Sequence, residues 1–103
     1  RIPAATGDSF RMELRSPDSS CNQYLALALV IAAGLDGIEN EFELMPPCDK
    51  NFYELSEKEV LEMGIEKLPE NLTEALKLAK ESDFVKKLIP QVTLDAFFKM
   101  KES

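Results

Sequence analysis

The sequence predicts a mainly α-helical chain with one N-terminal strand. Three observations carry this. Between Phe10 and Arg15, apolar and charged residues alternate with period two, the pattern of a strand with one buried and one polar face. From Gln23 to Ala33 the chain is rich in Leu and Ala, which favour helix. Further on, Ser56-Glu57-Lys58-Glu59 and Asn71-Leu72-Thr73-Glu74 each have the layout of a capping box, the signature of a helix start.

Taken in order, residues 1 to 9 read as extended chain and then a loop. Pro3 pushes Ile2 towards an extended conformation, and Gly7-Asp8 signals a turn. In the strand that follows, Phe10, Met12 and Leu14 point one way, and Arg11, Glu13 and Arg15 the other. Neighbours on the polar face lie roughly 7 Å apart, two residues at about 3.3 Å each. Two guanidinium groups flanking one carboxylate can hold a phosphate or carboxylate and supply one ligand to a hard cation. The plainer alternative is a solvated face whose charges pair with each other. Ser16-Pro17-Asp18-Ser19-Ser20 ends the strand.

Asn22 is placed to cap the next helix, which is expected to run past Gly34 to about Ile38. Tyr24, Leu25, Leu27, Leu29, Val30 and Ile31 cover all its azimuths, so residues 22–38 predict a helix buried all round. A domain this small can hardly bury such a helix completely, which suggests that other protein covers it. Asn40 to Tyr53 reads as a surface connection, stiffened at Met45-Pro46-Pro47.

The stretch 54–103 predicts a helical subdomain. A short helix capped by Ser56 should stop at Gly64. A second, capped by Asn71, carries Leu72, Ala75, Leu76 and Ala79 on one face. Ser82 is placed to cap a third that is interrupted before Pro90. Gln91 to Lys101 forms the last, with Val92, Leu94, Phe97, Phe98 and Met100 as apolar bulk.

Composition narrows the function classes. At 103 residues the chain is one domain at most, and 45% hydrophobic content is enough for a core. A net charge of −7 argues against nonspecific binding to nucleic acid or to an anionic membrane. The apolar run Tyr24–Ala33 falls far short of the ~20 residues of a membrane span, and the start has no signal-peptide layout. Cys21 and Cys48 form no CxxC pair and are expected to be free thiols in a reducing cytosol. The absence of histidine excludes Ser-His-Asp and Cys-His catalysis, and any imidazole metal ligand, within this chain alone. A start at Arg1 rather than Met predicts a fragment or a processed chain.

The order of these pieces resembles the C-terminal part of the glutamine synthetase catalytic domain, of the bacterial type I enzymes. The matching residues are Arg1-Ile2-Pro3, Arg11-Met12-Glu13-Leu14-Arg15-Ser16-Pro17-Asp18 and Asn22-Gln23-Tyr24-Leu25-Ala26. They continue in Ala32-Ala33-Gly34-Leu35-Asp36-Gly37-Ile38, Asn51-Phe52-Tyr53-Glu54-Leu55-Ser56 and Gly64-Ile65-Glu66-Lys67-Leu68-Pro69. Thr6 and Gln23 depart from the family pattern, where Arg and Pro are usual. The resemblance implies an α+β parent catalytic domain, of the glutamine synthetase/guanidino kinase type, of which residues 1–103 are an incomplete portion. It implies an ATP-dependent ligase that joins glutamate and ammonia through γ-glutamyl phosphate, with Mg²⁺ or Mn²⁺, in a cytoplasmic ring-shaped homo-oligomer.

By that similarity Glu13 is a metal ligand and Arg15 contacts glutamate and the transferred phosphoryl group. Arg11 and Arg1 lie along the nucleotide and its phosphates. One Glu and three Arg do not make a competent metal site, so the chain alone is expected to be inactive and to bind no cofactor. Two other readings stand beside this one. A ligase of the same fold can join glutamate to a polyamine or another amine. A non-catalytic helical interaction module can borrow the subdomain, although it has no need of Arg11, Glu13 and Arg15 together. As a separate piece, the chain is expected to behave as a structural subdomain whose residues 1 to 20 are poorly ordered, refolded or added as a strand to another copy.

Overall fold

The structure, a computed structural model, describes residues 1–102. It contains five α-helices among those residues: α1 (Gln23–Glu39), α2 (Glu57–Glu62), α3 (Leu72–Glu81), α4 (Asp83–Leu88) and α5 (Gln91–Glu102). Single 3-10 turns lie at Gly7–Ser9 and Phe52–Glu54. The chain divides into two compact units, residues 1–40 and residues 41 onward.

In the first unit the expected N-terminal strand is not formed, and no strand occurs among the described residues. The reason is the want of a neighbour. Residue Arg1 accepts from the Glu13 amide at 2.7 Å, and the Arg1 nitrogen donates to the Glu13 carbonyl at 2.9 Å. That is one rung of a ladder, and a ladder needs several to satisfy alternate donors and acceptors along both strands. The face expected to be buried is exposed as well: Phe10, Met12 and Leu14 all lie open to solvent. The amphipathic pattern is present, but no element of the first unit covers its apolar side.

Helix α1 begins where the cap predicts. The Asn22 side chain accepts from the Leu25 amide at 3.1 Å, satisfying one of the unpaired donors of the first turn. At the other end the Asn40 side chain donates to the Asp36 carbonyl and carboxylate, at 3.0 and 2.7 Å. Gly34 and Gly37 lie inside the helix and do not end it. The expectation of a helix buried all round is not met by this chain's own residues: none in α1 is buried, and Tyr24 is 88% exposed. A helix apolar on all sides needs cover on all sides, and no element of the first unit supplies it.

In the second unit, helices start and stop at the residues that predict them. Ser56 and Glu59 form a complete capping box, each side chain accepting from the other's backbone amide, at 3.2 and 3.1 Å. Helix α2 ends ahead of Gly64, whose φ of +75° is a left-handed conformation that costs glycine little. At α3 the box is displaced by one residue. Asn71 accepts from the Glu74 amide, but the Glu74 carboxylate turns to the Glu70 amide instead of that of Asn71. Ser82 caps α4 through the Val85 amide, and α5 starts directly after Pro90.

The core of this unit is small. Leu76 of α3, Ile89 after α4, and Leu94 and Phe98 of α5 are its buried apolar residues. Leu94, Phe97 and Phe98 fall within one stripe of α5 at helical spacing, whereas Val92 and Met100 lie outside it and are exposed. The Phe97 and Phe98 rings meet edge to face at 5.9 Å. Lys80 of α3 lies 5.4 Å from the Phe98 ring centroid and pairs with Glu102 at the end of α5. Those two contacts tie α3 to α5 at the exposed rim of the core. Cys21 and Cys48 are both free thiols, and no helix among the described residues is long and apolar enough to cross a membrane.

Candidate functional site

The four residues singled out from the sequence come together in the first unit, where the turn at Gly7–Ser9 delivers the chain to Phe10. Arg11, Glu13 and Arg15, two residues apart, have their charged ends in contact. Arg11 Nη2 donates to Glu13 Oε1 at 2.9 Å, while Arg15 Nε and Nη2 donate to Glu13 Oε2 at 3.0 and 2.7 Å. Each carboxylate oxygen therefore serves a different guanidinium. The Arg1–Glu13 rung brings the first residue alongside, close enough for the Arg1 charge to act on the Glu13 carboxylate.

Sequence reasoning did not foresee one participant. The Ser9 carbonyl accepts from Arg11 Nη1 at 3.1 Å and fixes that guanidinium from its other side. Being a backbone group, it leaves no residue-type signal; the Gly7-Asp8 turn that positions it was the only cue. Gly7 has φ +62° there.

The cluster is anionic at its centre and cationic at its rim. Glu13 retains 21% of its side-chain exposure, against 54% for Arg11 and 70% for Arg15. The hydrogen bonds from Arg15, then the one from Arg11, hold the Glu13 carboxyl below its ordinary value of 4.5. A lowered carboxyl pKa contributes stability above the unfolded value and loses it as pH falls through the folded one. The cluster is therefore paired at neutral pH and comes apart only below pH 4.5.

The Glu57–Lys67 pair, at 2.5 Å, follows the same sign at its acid end. At its basic end the Lys67 pKa is raised above 10.5 by Glu57, so the pair persists until pH rises through that higher value. A carboxyl carbon-13 titration should place the Glu13 and Glu57 midpoints below 4.5. A midpoint at or above 4.5 for either would show that its pairing is absent in solution.

The arrangement suits anions. Guanidinium groups present planar forks that match carboxylate and phosphate oxygens, and here Arg15 turns two nitrogens and Arg11 one to the same carboxylate. It does not suit a metal ion by itself. A hard cation takes several oxygen ligands, and this cluster offers a single carboxylate whose two oxygens are engaged by guanidiniums. Among the described residues there is no group of three or more His, Cys, Asp or Glu that could hold a metal. Elsewhere, an open cleft of about 490 Å³ in the second unit is lined by Lys80, Asp95, Phe98, Lys99 and Glu102. It contains none of the four singled-out residues.

Comparison with known proteins gives one consistent result. The family model described as "Glutamine synthetase, catalytic domain" matches residues 1–103. The chain is 44% identical over 102 residues to a glutamine synthetase of Methanosarcina mazei and 37% identical over 103 residues to one of Methanocaldococcus jannaschii. Those matches cover 99% and 100% of this chain but 23% of either relative. A Thermotoga maritima glutamine synthetase is 47% identical over 85 residues, covering 82% of this chain and 19% of that protein. The chain thus spans about a quarter of the length of the relatives it matches, and over that span it belongs to the glutamine synthetase catalytic-domain family.

Proposed function

We propose that the full-length protein containing this chain is a glutamate–ammonia ligase, and that this chain supplies the arginine–glutamate segment Arg11–Arg15 of its active site. In that reaction a γ-carboxylate oxygen of glutamate attacks the γ-phosphorus of ATP and ADP leaves. Ammonia then attacks the acyl carbon and phosphate leaves. Negative charge is concentrated on the transferred group throughout, and such reactions depend on positioning and charge neutralisation. Arg15 is assigned to the glutamate and the transferred phosphoryl group. Arg11 and Arg1 are assigned to the nucleotide phosphates.

Glu13 is assigned to the Mg²⁺ or Mn²⁺ of the family. Since it stands as a lone carboxylate, the other ligands must come from parts of the protein outside this chain. The same resemblance supports a cytoplasmic, ring-forming homo-oligomer.

The observation that carries this reading is the grip of Arg11 and Arg15 on one carboxylate. It demonstrates in the molecule itself that the two guanidiniums reach a common anion. The test is glutamine formation by the full-length protein. It should require ATP, ammonia and a divalent cation together, and residues 1–103 alone should give none. Glutamine-independent ATP turnover by the full-length protein, or a clear preference for a polyamine over ammonia, would replace the assignment.

A further inference from the structure

The carboxylate at the centre of the cluster is not only a candidate ligand; it occupies the two groups expected to bind substrate. We propose that Glu13 is a resident counter-anion, which keeps the guanidiniums of Arg11 and Arg15 filled until an incoming phosphate or carboxylate displaces it. The idea rests on the assignment of these arginines to anionic substrate groups and goes beyond it by giving the empty site a defined, self-paired state.

The geometry supports this in three ways. Both Glu13 oxygens are used, one by each arginine: Oε2 takes Nε and Nη2 of Arg15, and Oε1 takes Nη2 of Arg11. Arg15 offers Nε and Nη2 to the same oxygen, the side-on approach it would also use towards a phosphoryl oxygen. The Ser9 carbonyl holds Arg11 from behind, so exchange of the anion need not move that side chain far. The pairing also accounts for the poor fit to a metal. The oxygens a cation would need are those the arginines hold, so Glu13 cannot fully serve both at once.

Displacing a charge-assisted pair weakens the binding of the displacing anion. The test uses the full-length protein in excess chelator, with inorganic phosphate as probe and isothermal titration as readout. Glu13→Gln should tighten phosphate binding about tenfold, the worth of a charge-assisted hydrogen bond. Glu13→Asp keeps the negative charge but is one methylene shorter and cannot bridge both arginines. It should tighten binding as well, by a smaller factor.

If Glu13→Gln tightens binding while Glu13→Asp behaves as the wild type, only the nearby charge matters and the proposal fails. Unchanged affinity in both variants, or no phosphate binding in any of the three proteins, also overturns it. Should Glu13→Gln not fold, Glu13→Asp decides alone. Because the assay contains no metal, nucleotide or amine, its outcome is separate from whether the protein makes glutamine.

Discussion

Arg15→Ala in the full-length protein should lower kcat/KM for glutamine formation by about a thousandfold, as expected when one charged group that stabilises a transferring phosphoryl is removed. Two further features sharpen the expectation. In this chain the Arg15 side chain is 70% exposed and takes no part in a core, so its loss should not unfold these residues. Arg15→Lys should recover little, because an ammonium lacks the planar fork through which Nε and Nη2 meet a common oxygen. A loss confined to KM for ATP, with kcat intact, would move Arg15 from the transferred group to the nucleotide. Less than a tenfold loss of kcat/KM would remove it from the site.

The second large effect concerns the helical unit. Phe98→Ala should destabilise it by about 3 kcal/mol, the usual cost of emptying a buried aromatic position. Here the loss falls on a core whose buried residues are Leu76, Ile89, Leu94 and Phe98. The substitution also removes the edge contact with Phe97 and the ring beneath Lys80. Since a small unit has little stability to spare, α3 and α5 should lose their mutual protection together. Hydrogen exchange would show this as a common rise in the rates of both helices. Val92→Ala, at an exposed position on the same helix, is the control and should change stability by under about 0.5 kcal/mol. Equal effects from the two would mean that the four-residue core is not what holds the unit together.

The helices were legible because their signals are local. Asn22, Ser56, Asn71 and Ser82 each bond an amide of the first turn that follows, so identity and spacing suffice to find them. Gly64 is legible for the same reason. The displaced box at Glu70 and Glu74 marks the limit: the carboxylate had two amides within reach, and the sequence does not rank them.

The strand was misread because its signal is only half local. Period two tells which residues share a face but not whether a neighbouring strand exists, and Arg1–Glu13 supplies one rung where a strand needs a run of them. Helix α1 shows the same limit from the other side. Its apolar residues announce burial, but no element of the first unit supplies the cover they require.

The contact among these charged residues was legible in its membership and less so in its state. Alternation placed Arg11, Glu13 and Arg15 together, and they do meet. Spacing alone left open whether the carboxylate would stand free between two cations or be taken up by both. The structure has it taken up: Glu13 Oε1 accepts from Arg11 and Oε2 from Arg15, while the Ser9 carbonyl accepts from the other terminal nitrogen of Arg11.

The central claim is that the Arg11–Arg15 segment is part of an ATP site and becomes productive only when the remainder of the catalytic domain completes it. Isothermal titration of residues 1–103 with ATP in the presence of Mg²⁺ or Mn²⁺, beside the full-length protein under the same conditions, tests it most directly. The account predicts no heat of binding from the short chain and a saturable isotherm from the full-length protein. Binding by the short chain that disappears in Glu13→Ala would contradict it, because the four residues would then form a nucleotide–metal site without the rest of the domain.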